Sequence, residues 1–266
     1  MNYLTRLKKI LKSFRPGFSE VTEIKLKGGL SFGIETKNEH EILRATTFFS
    51  KEPEMIAWID KLHELNGNKP FVFYDIGANI GIYSLYTATI HKDATVYSFE
   101  PEATSFSSLC CNIFSNQLSN IIPFELAISN VDQFELLHVG IIKSGAGASA
   151  VGRDYGYIDR PSPFRQGVYC VSLDSLYDNP FFKRPNFIKI DVDGHEAKIL
   201  EGAEKILRDS ELKGLIMEFE YAKDEEMKAF ISKMSTYGFS FVLMSDWIAP
   251  NLNGDTMNRN FLFEKK

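Results

Sequence analysis

The chain has 266 residues and a formal net charge of −5, with 44% hydrophobic and 24% charged residues. These values fit an ordinary globular protein with one large α/β domain or two small ones. An acidic balance argues against broad nucleic-acid binding, which normally needs a basic surface. No apolar run approaches the roughly 20 residues of a membrane span, and no secretory signal is visible. The cysteines Cys110, Cys111 and Cys170 have neither disulfide nor metal-ligand spacing, so we expect a cytoplasmic location.

Residues 1–19 are predicted to form an amphipathic helix that ends at Pro16 and Gly17. Apolar residues recur there at three- and four-residue spacing with lysines and arginines between them, namely Leu4, Leu7, Leu11 and Phe14. Such a helix can pack on its own domain, lie peripherally on an anionic membrane or pair with another chain. The sequence leaves these three possibilities open.

Residues 21–65 show short strand patterns at 24–26 and 32–34 and a helical pattern over 55–65. None of these pieces suggests chemistry. We therefore predict an N-terminal extension over residues 1–65 and a main domain over residues 66–266.

From residue 71 onward, strand patterns alternate with helical patterns. The predicted strands are 71–74, 95–99, 121–126, 187–190 and 215–217, and the helices between them begin near 82 and span 105–115 and 196–207. This alternation implies right-handed crossovers and a parallel sheet covered on both faces. After a helix over 224–234, strands at 239–243 and 261–263 have no helix between them and predict an antiparallel edge hairpin. The fold class is thus α/β, Rossmann-like, with a mostly parallel seven-stranded sheet.

An interruption over residues 132–173 does not fit this rhythm. It contains a run of small residues at 144–149 and an aromatic and basic stretch at 153–165. Long insertions often form lids or binding loops, although a plain surface excursion is equally compatible. We expect residues 153–165 to cover the ligand pocket.

The segment 75–81 reads DIGANIG and lies between a predicted buried strand and a helix. Parallel α/β sheets bind ligands at the carboxyl ends of their strands, where glycines let the backbone approach the ligand. Gly77 and Gly81 serve this purpose, and Asn79 suits a left-handed backbone. A dinucleotide fingerprint needs a further glycine where Ile82 stands. The loop instead resembles the one in class I methyltransferases that holds the amino-acid part of S-adenosylmethionine.

Glu100 ends the next predicted strand, about 20 residues beyond the glycines, where an acid typically binds a ribose diol. A carboxylate can accept hydrogen bonds from both hydroxyls. We therefore predict that Glu100 binds a ribose.

The segment 189–196 reads KIDVDGHE and ends the fourth parallel strand. Strand alternation places Lys189 and Asp191 on the same side. A group of three carboxylates and a histidine can position a hydroxyl, remove its proton or hold a cation. A capped helix start, with Asp193 as N-cap, explains part of the pattern but neither Asp191 nor His195.

Together, these motifs resemble the FkbM family of methyltransferases. The resemblance rests on residues 71–84, 97–101, 171–176, 188–196, 200–203 and 260–263. It implies a class I methyltransferase fold, S-adenosyl-L-methionine as cofactor, and O-methylation of a sugar, glycan, lipid or natural product. Asp193 departs from the family, which commonly has Glu at this position. The residues expected at the cofactor are Asp75, Gly77, Asn79, Gly81, Glu100, Pro101, Ala127 and Asp191.

Methyl transfer from a sulfonium requires an acceptor oxygen on the methyl axis, and a hydroxyl is a weak nucleophile. We therefore assign catalytic roles to three residues, with Asp191 or His195 as general base and Glu196 orienting the other. Glu218 is expected to line the same pocket. No metal is expected, although a cation held by Asp191, Asp193 and Glu196 is a less favoured alternative.

Two other functions remain open. A nicotinamide-dependent oxidoreductase is disfavoured by the missing glycine at Ile82. A non-catalytic cofactor-binding module is disfavoured by the carboxylates around Asp191, which a scaffold does not need.

Overall fold

The computed structural model describes residues 20–147, 149–152, 162–221, 223–245, 249–250 and 257–265. The predicted amphipathic helix of residues 1–19 lies outside these ranges, as does most of the 153–165 loop. The strands are β1 (Glu20–Lys25), β2 (Ser31–Thr36), β3 (Val72–Ile76), β4 (Thr95–Phe99), β5 (Ile121–Phe124), β6 (Ala127–Ser129), β7 (Gln133–Val139), β8 (Ser149–Val151), β9 (Phe164–Ser172), β10 (Phe187–Ile190), β11 (Gly214–Tyr221), β12 (Phe239–Met244), β13 (Ala249–Pro250) and β14 (Met257–Lys265). The helices are α1 (Glu39–Lys51), α2 (Pro53–Ile59), α3 (Leu62–Leu65), α4 (Ile82–Ile90), α5 (Ala103–Ser115), α6 (Leu173–Asp178), α7 (Glu196–Glu201), α8 (Glu204–Arg208) and α9 (Asp224–Thr236).

The main sheet has the strand order β12-β14-β11-β10-β3-β4-β5, with β13 paired to β14 outside this row. The five strands from β11 to β5 run parallel, whereas β14 is antiparallel to both β11 and β12. The chain winds from β3 toward β5 in one direction and from β10 toward β11 in the other. A crevice therefore opens at the carboxyl ends of β3 and β10. The prediction of a mostly parallel sheet with an antiparallel edge is confirmed.

The core lies on both faces of this sheet, because neighbouring strand residues point to opposite sides. Phe73 and Ile216 belong to one buried cluster, and Tyr74 and Met217 belong to the other. The first cluster also contains apolar residues of the N-terminal extension, namely Ile34, Phe48 and Trp58. Residues 20–65 therefore cover one face of the sheet. The domain boundary at residue 65 stays a prediction.

Helix α1 was not predicted from the sequence. Its N-cap is Asn38, whose side chain accepts hydrogen bonds from the backbone N–H groups of His40 and Glu41. The buried positions of the helix are Glu41, Ala45 and Phe48. Because a glutamate takes one inward position while apolar residues point outward, the hydrophobic period of a helix is obscured.

Two predicted helices are each divided in the structure. The pattern over 55–65 forms α2 and α3, and the pattern over 196–207 forms α7 and α8. The second break falls at Gly202, where an added Cβ would lie 2.6 Å from the backbone oxygen of Ser129. The chain thus makes a close backbone approach at the position where α7 ends.

The interruption at residues 132–173 contributes three strands to a second sheet with the order β6-β9-β7-β8. Strands β7 and β9 pair antiparallel, and β6 pairs parallel with β9. Its inner side buries Leu137, Val168 and Cys170. In its described residues, the insertion therefore forms regular β-strands of a second sheet rather than an irregular surface loop.

The three cysteines are free thiols, with Cys170 buried and Cys110 and Cys111 half-buried. Among the helices of the described residues, none combines the length and apolar character that a membrane crossing requires.

Candidate functional site

The crevice at the carboxyl ends of the strands is a pocket walled by both sheets and by α1. The turn after β3 contributes Ile76, Gly77 and Asn79, and the turn after β4 contributes Phe99, Glu100, Pro101, Glu102 and Ser105. The turn after β10 contributes Asp191, Val192, Asp193 and His195, and the β6 segment contributes Leu126, Ala127 and Ile128. The remaining lining residues are Arg44, Leu137, Lys143, Gly147, Ser149 and Val151. The predicted residues Asp75, Gly81 and Glu196 do not line this pocket.

The glycine loop after β3 has left-handed backbone at Gly77 (φ 74°), Asn79 (φ 52°) and Gly81 (φ 85°). The left-handed conformation predicted for Asn79 is confirmed. A Cβ added at Gly77 would lie 1.9 Å from the backbone oxygen of Asp191. The turn after β3 therefore lies directly against the turn after β10, and only glycine fits between them.

Asp75 is fully buried and contacts protein groups rather than the pocket. Its Oδ1 lies 3.0 Å from the ammonium of Lys189, and its Oδ2 accepts a hydrogen bond from the hydroxyl of Ser84 at 2.6 Å. Lys189 is also buried, and its Nζ lies 3.5 Å from Oδ2 of Asp191. Burial favours a neutral lysine, but Asp75 and Asp191 raise the pKa of Lys189 above its usual value. Asp75 therefore acts on the pocket indirectly, because it pairs with the Lys189 ammonium that also lies beside Asp191.

Asp191 lines the pocket and remains ionised. Burial alone would raise the pKa of its carboxyl, but the cationic side chains of Lys189, Lys51 and Arg44 outweigh burial and lower it. A carboxylate with a lowered pKa is a weak proton acceptor. The environment of Asp191 therefore suits a fixed negative charge better than a general base.

His195 lines the same pocket and is buried. Its Nε2 lies 2.9 Å from the hydroxyl oxygen of Ser129 at the end of β6. This contact orients the imidazole from the second sheet. His195 is the pocket-lining residue whose side-chain type is most often a general base.

Glu196 and Glu218 lie near Asp191 but do not line the pocket. Oε1 of Glu196 accepts hydrogen bonds from the backbone N–H groups of Gly194 and Val192 at 3.2 and 3.4 Å, so Glu196 holds the turn that carries His195. Burial raises the pKa of Glu196 to about 8, and the charge of Asp191 adds to this effect. Burial and the charge of Asp191 also raise the pKa of Glu218 well above its usual value.

Glu100 is buried at the end of β4 and faces the glycine loop. Its Oε2 accepts the backbone N–H of Asn79 and its Oε1 accepts that of Glu102, both at 2.8 Å. Each oxygen keeps acceptor capacity for one further hydroxyl. Burial raises the pKa of Glu100 to about 7, although these two hydrogen bonds oppose the shift.

Asp193 does not cap a helix, so that part of the prediction is wrong. Helix α7 begins at Glu196 with His195 at the N-cap position and no side-chain cap. Asp193 has a φ of 25°, and its Oδ2 lies 3.4 Å from the backbone nitrogen of Ser149. The side chain therefore links the turn after β10 to the second sheet. Within the described ranges, no three side chains of metal-binding type are placed to hold an ion.

The N-terminal extension contributes to the site, contrary to the expectation that it carries no chemistry. Arg44 of α1 lines the pocket, and its Nε donates a hydrogen bond to the backbone oxygen of Gly145 at 2.5 Å. At the end of the same helix, Lys51 forms an ion pair with Glu52 at 3.2 Å. Glu52 in turn accepts a hydrogen bond from the hydroxyl of Tyr83. No local sequence signal marks Arg44, because only the tertiary packing of α1 brings it to the crevice.

The strand order, the reversed strand β14 and the position of the crevice define a class I methyltransferase fold. The model of one particular family, the methyltransferase FkbM domain, matches residues 75–241. This span is more than half of the chain, and the protein belongs to that family.

Two curated relatives and one solved structure show the extent of the similarity. The hexuronic acid methyltransferase AglP of Haloferax volcanii is 26% identical over 137 residues, which is 52% of each chain. Methyltransferase 1 of Beauveria bassiana is 26% identical over 161 residues, or 54% of this chain and 64% of that protein. The chain thus spans between half and two thirds of the length of these relatives. A SAM-dependent methyltransferase from Agrobacterium tumefaciens shares the fold, with a TM-score of 0.50, 9% identity and coverage of 95% and 72%.

The contact at Gly77 gives a first prediction. Gly77→Ala combines left-handed strain with a collision against Asp191, so we expect the free energy of unfolding to fall by about 1–3 kcal/mol or more. Gly28→Ala is the matched control, because Gly28 has a φ of 76° and nothing within 4 Å of an added Cβ. Denaturant unfolding of both variants measures the difference. An equal loss of unfolding free energy in both variants would show that the turn after β3 is not constrained by the turn after β10.

The buried ammonium gives a second prediction. Lys189→Met leaves Asp75 and Asp191 without their counter-charge, so we expect a loss of about 3–5 kcal/mol in the free energy of unfolding. Lys205→Met is the control, because Lys205 and Asp178 form an exposed pair and its loss leaves stability nearly unchanged. Chemical denaturation compares the two variants, and a comparable small loss in both would contradict the role of Lys189.

Proposed function

We propose that the protein transfers a methyl group from S-adenosyl-L-methionine to a hydroxyl oxygen of a sugar or glycan acceptor. One observation carries this proposal: the Gly77 turn, the Glu100 carboxylate and the Asp191 carboxylate face a single crevice at the switch point of the sheet. Membership of the FkbM methyltransferase family supports methyl transfer rather than hydride transfer.

The residues of the crevice fit such a cofactor. The backbone at Gly77 and Asn79 would hold its amino-acid part, since no side chain atom stands at position 77. Glu100 would accept hydrogen bonds from the ribose hydroxyls with the lone pairs that its two backbone contacts leave. Pro101 and Ala127 would flank the nucleoside, and both line the pocket. When bound, the cofactor supplies the electrophilic methyl group.

Asp191 would act in binding more than in the chemical step. Its carboxylate remains ionised beside Lys189, so it attracts a cationic sulfonium. Transfer of the methyl group from a bound cofactor would remove this positive charge. An interaction that weakens in the transition state favours binding and does not speed the reaction. We therefore assign Asp191 to cofactor binding and orientation.

His195 would be the general base. A sugar hydroxyl is a weak nucleophile, and a positioned base contributes about 10²- to 10⁴-fold to such a reaction. The imidazole lines the pocket and is oriented by Ser129, and His195 belongs to the same turn after β10 as Asp191. It would take the proton as the acceptor oxygen attacks the methyl group. Glu196 would support this residue by holding the turn through its two backbone hydrogen bonds.

The acceptor class is proposed from the relatives and the pocket. One curated relative is named a hexuronic acid methyltransferase, which favours a sugar hydroxyl over a lipid or natural-product hydroxyl. The lining of the pocket is mixed, with Asp193 and Arg44 in its walls beside apolar residues such as Leu137. Hydroxyl-rich acceptors suit a wall of this kind because its polar groups then find partners.

The pKa of Glu100 gives a prediction for cofactor binding. Its folded-state pKa is about 7, so the acceptor carboxylate predominates above pH 7 and is lost as the pH falls. We expect the Kd for S-adenosylhomocysteine at pH 6 to be roughly tenfold higher than at pH 8. Isothermal titration calorimetry measures both values.

Glu100→Gln is the control for this pH effect, because Glu196 has a pKa of about 8 and also titrates in the window. The amide should raise the Kd at pH 8 by about 10- to 100-fold and flatten the pH dependence. If the Kd of Glu100→Gln for S-adenosylhomocysteine still rises roughly tenfold from pH 8 to pH 6, Glu100 does not bind the ribose. Preferential binding of NADH by the wild-type protein would replace the proposed function with oxidoreduction.

Replacement of His195 tests the chemical step. We expect His195→Asn to lower kcat by about 10²- to 10⁴-fold while the Kd for S-adenosylhomocysteine stays within about threefold. Transfer of labelled methyl groups to a panel of hexoses and hexuronic acids provides the rate. His63→Asn is the matched control, since His63 pairs with Asp93 at the opposite end of the strands. Undiminished turnover in His195→Asn would exclude the base role, and no labelled product from the wild-type protein would favour a non-catalytic module.

A further inference from the structure

The guanidinium of Arg44 has no role in the chemistry proposed above. Arg44 lies in α1, outside the residues matched by the family model, yet it lines the same pocket as Glu100 and Asp191. Its Nε is fixed by the backbone oxygen of Gly145. Toward the rest of the described chain, its two Nη nitrogens form neither a hydrogen bond nor an ion pair. The charged end of the side chain is thus anchored at one nitrogen and open at the other two.

The charge of Arg44 acts on both sides of the crevice. It helps to lower the pKa of Asp191, and it opposes the upward shift of the pKa of Glu100. Neither carboxylate lies within ion-pair distance of the guanidinium in the described structure. Arginine stays protonated, and a half-buried cation without a direct anionic partner is costly. This cost is offset when an anion binds.

The loop residue beside the guanidinium of Arg44, Gly147, has no side chain. Gly147 has a φ of 74°, and a Cβ added there would lie 3.7 Å from Nη2 of Arg44 and 3.4 Å from Oδ2 of Asp193. The absence of a side chain at position 147 therefore leaves Nη2 of Arg44 uncovered at this point of the loop. Lys143 lines the pocket as well, with its ammonium paired to the exposed carboxylate of Glu39. The paired Nη donors of arginine match the geometry of a carboxylate.

We propose that Arg44 forms a carboxylate-binding subsite of the crevice. The carboxylate comes from one of the two ligands that the proposed function brings together: the methionine part of the cofactor or a uronic-acid acceptor. The inference rests on that proposed function. It extends the site to α1 and makes the N-terminal extension part of ligand recognition.

Calorimetry with two analogues of the cofactor tests whether its methionine carboxylate binds Arg44. S-adenosylhomocysteine contains the carboxylate, and 5′-deoxy-5′-methylthioadenosine lacks the whole amino-acid part. If the cofactor is the source, Arg44→Gln raises the Kd of the first ligand by about 10- to 100-fold and leaves that of the second unchanged. Arg44→Lys restores only part of the loss, because an ammonium cannot pair with both oxygens through a rigid fork. Arg208→Gln is the matched control, an exposed arginine paired with Glu204.

Acceptor titrations test the second source on protein saturated with S-adenosylhomocysteine. If the acceptor is the source, Arg44→Gln binds the cofactor product normally but loses about 10- to 100-fold in affinity for glucuronate relative to glucose. Unchanged affinity for both carboxylate ligands, in a variant that melts at the wild-type temperature, overturns the subsite and leaves the proposed function intact. If Arg44→Gln does not fold, Arg44→Lys serves for the same comparison. Failure of the wild-type protein to bind S-adenosylhomocysteine overturns both proposals.

Discussion

The contact between Gly77 and the backbone oxygen of Asp191 is the constraint on which the rest of the site depends. A Cβ at position 77 would lie 1.9 Å from that oxygen, so the turns after β3 and β10 meet with no space between them. The buried ammonium of Lys189 strengthens the junction, because it lies 3.0 Å from Asp75 and 3.4 Å from the oxygen of Gly77. The junction adds to the parallel backbone pairing of β3 with β10, which sets the register between the two halves of the sheet. The positions of Glu100 and His195 relative to each other follow from this junction.

Electrostatics divides the acids of the site into different protonation states. Lys189 keeps Asp191 ionised, whereas burial raises the pKa of Glu196 to about 8 and the pKa of Glu218 well above its usual value. At neutral pH Glu196, with a pKa of about 8, is therefore largely protonated, whereas Asp191 is ionised. Acids whose environments move their pKa values apart take different roles in a site. Here the ionised Asp191 lines the pocket, and the largely protonated Glu196, which does not line it, limits the repulsion between the two carboxyl groups.

The sequence predicts the parts of this site that follow from the sheet and fails where tertiary packing decides. Strands β3 and β10 are buried on both faces, so their apolar runs are visible, and the polar residues at their ends fall at the crevice by topology alone. Helix α1 was missed because Glu41 points inward, where Ser108 and Ser144 donate hydrogen bonds to its carboxylate, while Ile42 and Leu43 are exposed. The second sheet was missed for a similar reason, since Phe134 lies on its exposed side. Arg44 could not be found from sequence, because its position depends on both of these elements.

Groups of opposite charge lie close together in the crevice, and this bears on how the proposed ligand would be oriented. Asp191, Asp193 and Arg44 all line it, and a Cβ added at Gly147 would lie 3.4 Å from Oδ2 of Asp193 and 3.7 Å from Nη2 of Arg44. S-adenosyl-L-methionine carries its ammonium and its carboxylate on the same carbon and its sulfonium at the other end of the short methionine chain. The favoured orientation of such a ligand would bring its cationic groups to the aspartates and keep its carboxylate away from them, because complementary charges select one arrangement. Transfer of the methyl group would leave the sulfur neutral, so its attraction to Asp191 would be lost. The carboxylate of Asp191 would therefore favour replacement of the spent product by a new, positively charged donor.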